Sequence, residues 1–208
     1  MGGRKHVGFG ISGLAIALML AAVCPVEAHH LMGGRTPSTF GEGLLSGLGH
    51  PVIGLDHLAF IVAMGVAVGI AGLNLVIPGL FIVASAVGVA LHVQGVTLPA
   101  VEVLVALTVL GTGLIIACGR SVPTSAWATL FAASGLIHGY AFGESIYGAE
   151  TSPLAAYLIG LAIIQAVLAT VVALVARRSS ARALEPRLAG AAIAGIGLAI
   201  LAGQILPG

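Results

Sequence analysis

The chain has 208 residues, 7% of them charged and 59% hydrophobic, with a mean hydropathy of +1.15 and a formal net charge of +1. Soluble domains carry about 25% charged residues, so this chain has too little polar surface to coat a water-facing globule. The few basic residues also exclude a phosphate-tracking groove, and with it nucleic acid as a partner; the partner this composition calls for is a lipid bilayer.

The first 28 residues read as a secretory signal. Arg4, Lys5 and His6 form a basic start, Val7 to Val23 is apolar, and Val26-Glu27-Ala28 supplies a small-residue cleavage site ahead of His29. An uncleaved first transmembrane helix is the alternative. A lipoprotein signal ending at Cys24 fits less well, because Val23 stands where a small residue is wanted. The expected organisation is therefore a signal peptide over 1–28 and one transmembrane domain over 29–208. Cleavage would set a new α-amine beside His29, with His30 and Met32 close by. That terminus either chelates a divalent metal or is a frayed end that happens to carry histidines. Cys118 would be the one cysteine remaining, so no disulfide framework is expected.

Thr36 to Gly49 suggests a short interfacial helix, with Ser38 as N-cap and Glu42 in its first turns. Six apolar runs follow, over roughly 51–72, 74–95, 98–118, 124–142, 153–176 and 187–206, each near the ~20 residues a bilayer requires. The expected fold is all-α, a polytopic bundle of six transmembrane helices. Gly72-Leu73-Asn74 joins the first two runs so tightly that an antiparallel hairpin is expected. Gly190, Gly195, Gly197 and Gly203 in the last run suit packing inside the bundle or against a second copy, so a homo-oligomer is possible. A cleaved signal puts the mature N-terminus in the periplasm. Arg120, Arg177, Arg178, Arg182 and Arg187 then fall inside and Arg35 outside. That asymmetry is the positive-inside pattern of an inner-membrane, multi-pass protein.

Charge inside a membrane helix is costly and asks for a partner or a function. His50, Asp56, His57, His92, Glu102, His138 and Glu144 all fall, on this topology, near the periplasmic ends of the first four transmembrane helices. His50 and His57 stand seven residues apart on one helical face, about 10 Å apart along a straight axis, which is too far to share an ion. Pro51 suits a helix start and Gly54 loosens it, so His50 can instead fold over from the cap. Asp56 can ligate beside His57 or act behind it. In the fourth run, Gly139 and Gly143 form a small-residue face whose close packing can bring His138 to the first helix. Imidazole with carboxylate suits Ni, Co, Zn or Cu(II), and not Mg or Ca. His92 reads as a helix–helix hydrogen-bonding residue or a ligand, and Glu102 as a partner of its helix dipole. Glu150 reads as a solvated loop charge.

At these residues the chain resembles the HupE/UreJ family of membrane proteins. The family's His-x5-Asp-His signature appears as His50, Asp56 and His57, and its fourth-helix signature is matched by His138, Gly139, Ala141 and Gly143. The second motif departs from the family pattern. Ile137 replaces a Phe, Phe142 stands where a second His belongs, and Ser145 stands at the Glu position with Glu144 one residue earlier. The resemblance implies uptake of Ni(II) or Co(II) as transported substrate, with no organic cofactor and no enzymatic role. Two other functions compete with a permease or facilitator. A membrane metalloenzyme would use three histidines and a carboxylate, although the chain has no His-Glu-x-x-His helix. A bis-His haem protein would use two of His57, His92 and His138. No Walker A pattern is present, so the chain does not itself hydrolyse nucleotide.

Overall fold

The structure is a computed structural model and describes residues 35–206. The proposed signal peptide, its cleavage site, His29 and His30 lie outside the described residues. Those described form seven α-helices and no strand: α1 Phe40–Ile53, α2 Leu55–Ile70, α3 Pro78–Val93, α4 Val101–Ala117, α5 Thr124–Phe142, α6 Thr151–Ala176 and α7 Leu184–Ile205. A short 3-10 helix, Gly143–Ile146, extends α5.

The apolar run 51–72 is two helices and not one. α1 and α2 meet at a bend of 77°. Gly54 between them is extended (φ −71°, ψ 109°) and still donates its N–H to the His50 carbonyl at 3.1 Å. Pro51 consequently lies in the last turn of α1 and does not start a helix. The interfacial helix expected over 36–49 is α1, and its cap is Thr39 where Ser38 was expected. Thr39 Oγ1 accepts from the Glu42 amide at 3.2 Å while the Glu42 carboxylate accepts from the Thr39 amide at 3.2 Å, a reciprocal capping box. Ser38 sits one residue too early for that exchange and donates to the same carboxylate from its amide and hydroxyl, at 2.8 and 2.9 Å.

α2 is the central helix, and every residue from Asp56 to Gly69 is buried. It packs on α6, α4 and α7. Around it the closest pairs are α3 with α5, α4 with α7 and α1 with α6. α2 and α3, joined by the turn at Gly72, touch only slightly. Small residues decide these partners. A Cβ on Gly139 of α5 would collide with the backbone of Ser85 on α3, so the two helix backbones are in direct contact there. The glycines of α5 therefore seat on α3, and His138 beside them meets His57 of α2. In α7, Gly190 and Gly197 press on α4, whereas Gly195 and Gly203 face open space.

The outer surface of the bundle is apolar. Ile159, Ile163, Val167, Val171 and Leu174 form an exposed stripe along α6, and Val83 and Val87 are exposed on α3. A water-facing helix carries polar residues on its exposed face, so this surface is compatible with lipid. α6 and α7 are long and apolar enough to cross a membrane, and the bent pair α1–α2 counts as a third span if taken as one. α3 and α4 are apolar but shorter, at 16 and 17 residues.

Candidate metal site

The break at Gly54 is what builds the site. α1 lies against α6 because Gly43 and Gly47 let its backbone touch the carbonyls of Pro153 and Tyr157. α2 then leaves at a steep angle, and the two ends of the motif fold toward each other. The rings of His50 and His57 end 5.7 Å apart between centroids, about half the axial spacing of a straight helix. Gly54 has no side chain for a steric reason: a Cβ there would stand 2.7 Å from His57 Cδ2 and 3.1 Å from Asp56 Oδ1.

Asp56 and His57 are only 8% and 6% exposed, which places a carboxylate and an imidazole at the buried start of the central helix. The Asp56 carboxylate accepts from the His57 amide at 2.7 Å, which fixes its direction, and His57 Nε2 lies 3.9 Å from Asp56 Oδ1. These two residues, with His50, Glu102, Glu144, Ala141, Ser145 and Gln204, line a cavity of about 320 Å³. Its lining carries three carboxylates, two imidazoles and no Lys or Arg. Such a concave, anionic lining concentrates cations.

Not every expected residue reaches the cavity. Glu102 does, from the first turn of α4, where its charge also complements the helix dipole. Glu144 reaches it from the exposed side of the 3-10 helix. His138 is fully buried and does not line the cavity. It stands behind His57, with their Nδ1 atoms 2.9 Å apart, and its Nε2 lies 2.8 Å from Thr108 Oγ1. Two rings at hydrogen-bond distance leave no space between them for a haem plane. His92 stands apart from the cavity, packed against Tyr140 and Tyr147 at 4.6 and 5.8 Å, with its buried Nδ1 lacking a hydrogen-bond partner among the described residues. Among the described residues no three of His, Cys, Asp and Glu converge tightly enough to enclose an ion. The site is thus an open vestibule and not a closed structural cage.

Several contributors were not anticipated. Ser145, at the position where the family pattern has Glu, approaches His50 Nδ1 at 3.0 Å and the Tyr157 hydroxyl at 3.0 Å. The Tyr157 hydroxyl in turn donates to the Phe142 carbonyl at 2.8 Å, tying α6 to the end of α5 beside the cavity. Gln204 arrives from the far end of the chain. Thr108 offered no signal beyond being a hydroxyl in an apolar run.

The sequence model of the HupE / UreJ proteins matches residues 16–200. Protein HupE of Rhizobium leguminosarum bv. viciae is 33% identical over 193 residues, which is 90% of this chain and 97% of that protein. No solved structure gives a significant match. With the family pattern covering most of the chain and its first signature assembled around one cavity, the chain belongs to the HupE/UreJ family.

Proposed function

We propose that the protein is a secondary permease or facilitator that takes up a divalent transition metal, nickel or cobalt, across the inner membrane. The observation that carries this reading is the fold-over at Gly54, which brings His50, Asp56 and His57 to one anionic cavity at an end of an apolar bundle. Imidazole nitrogen beside carboxylate oxygen is a donor set for borderline divalent ions, and the absence of thiolate from the lining disfavours Cu(I). HupE/UreJ proteins are associated with nickel or cobalt uptake, which agrees with that donor set.

In this mechanism the mature N-terminus and the cavity face the periplasm. The carboxylates of Asp56, Glu102 and Glu144 draw in the hydrated ion. His57 and His50 replace part of its water, assisted by Asp56, and the ion is then released toward the cytoplasm. The metal is cargo, so binding strong enough for capture but loose enough for release is what the site has to provide.

The test is cellular Ni and Co content by mass spectrometry at limiting metal, in cells making wild type, His57→Ala or no protein. Accumulation of one metal that depends on His57 is expected. Equal content in all three strains, with the protein present in the membrane, would refute uptake.

A further inference from the structure

Three side chains on three helices form a line that ends at the cavity: Thr108 on α4, His138 on α5 and His57 on α2. Their hydrogens can be assigned from the far end. Thr108 Oγ1 lies 2.7 Å from the Val105 carbonyl oxygen. Two oxygens approach that closely only with a proton between them, and a helical threonine commonly donates back to the carbonyl three or four residues earlier. A hydroxyl has a single proton, so toward His138 Nε2, at 2.8 Å, Thr108 Oγ1 is the acceptor. His138 Nε2 therefore carries hydrogen. Full burial favours the neutral ring, and a neutral imidazole has one N–H, which leaves His138 Nδ1 as an acceptor. The His57 Nδ1 facing it at 2.9 Å is then the donor. In its neutral form, the one that can bind a metal, His57 then holds its lone pair on Nε2, the nitrogen 3.9 Å from Asp56 Oδ1.

We propose that Thr108 and His138 are positioning residues, a proton-ordered relay that locks His57 in the Nδ1–H tautomer and presents its Nε2 lone pair to a divalent metal ion. The second half of this proposal rests on the reading of the cavity as a metal site; the first half, the proton order, does not. His138, expected from sequence to be a ligand, orients one instead. The Thr108 hydroxyl is the anchor because it is the only member whose proton is committed to the backbone. Without that hydroxyl, His138 has no acceptor for its Nε2–H and can turn its proton toward His57. The His57 proton then moves to Nε2, where it blocks coordination. Partners of this kind typically alter metal affinity by about 10–100-fold.

The full chain purified in detergent and labelled with 15N-histidine tests both halves, with His57 and His138 signals assigned through His57→Ala and His138→Ala. In the metal-free wild type, His57 should be protonated at Nδ1 and His138 at Nε2; the reverse order overturns the relay. Thr108→Val should move the His57 proton to Nε2 and weaken Co(II) binding, read from the cobalt absorption bands, by at least about tenfold. Thr108→Ser should restore both. Unchanged His57 protonation and unchanged Co(II) affinity in Thr108→Val would overturn the proposal. If Thr108→Val does not fold, the wild-type and Thr108→Ser spectra still decide the proton order. Wild type with the expected proton order but no Co(II) bands would overturn the ligand half together with the proposed uptake, and leave the proton order standing.

Discussion

At one end of the bundle, Asp56, Glu102 and Glu144 join His50 and His57 around a cavity. At the other, Arg177 donates to the Leu73 carbonyl at 2.9 Å and Arg187 to the Ala117 carbonyl at 2.9 Å. Leu73 follows the end of α2 and Ala117 is the last residue of α4, the same helices whose first turns hold Asp56, His57 and Glu102. The arginines are thus engaged with backbone carbonyls left over at helix ends, where cations also complement the helix dipole. The carboxylates and imidazoles of the opposite end line a cavity.

That contrast is breakable, and the largest effect is expected at His57. Alanine there should reduce metal accumulation to the level of cells lacking the protein, whereas Arg177→Ala should leave accumulation per folded molecule unchanged. Gly54→Ala comes next. Its new methyl would press on the His57 ring and the Asp56 carboxylate, so Co(II) affinity in the purified protein should fall about tenfold, as when an orienting contact is lost, while the detergent-solubilised protein keeps its helix content. Glu144→Gln should be milder, because this side chain is exposed. One charge at contact distance in water is worth about 1 kcal/mol, or roughly fivefold in half-saturating metal concentration. Smallest of all is Arg187→Ala, expected to cost about 1 kcal/mol in thermal unfolding with no change in metal affinity. A loss of metal affinity in Arg187→Ala as large as that in Gly54→Ala would erase the distinction between the two ends.

Much of this arrangement is legible from residue order. Apolar runs separated by Gly, Pro and Asn mark the helices, and the scarcity of ionisable residues makes Asp56 and His57 conspicuous. The bend between α1 and α2 is less visible, because Pro51, Gly54 and the Asp56-His57 pair interrupt the run 51–72 without fixing an angle. What separates the two helices is tertiary: α1 is drawn onto α6 through Gly43 and Gly47, and the chain turns at the one residue with no Cβ to strike His57. The expectation for Gly139 is close packing that brings His138 to the first transmembrane run, and His138 does meet His57; the helix that Gly139 itself seats on, through Ser85 of α3, is not specified by the glycine. Thr108 could not be found at all from the sequence. Its importance lies in a 2.8 Å contact across two helices, and a threonine in an apolar run usually does no more than bond to its own backbone.

The measurement closest to the central claim uses purified protein in liposomes that enclose a metal-sensitive dye, with Ni(II), Co(II) or Mg(II) added outside. Wild type should admit Ni(II) or Co(II) and exclude Mg(II), and His57→Ala in the same orientation and amount should admit none. Equal dye responses from wild type and His57→Ala would contradict the assignment of the His50–Asp56–His57 cavity as the point of metal entry.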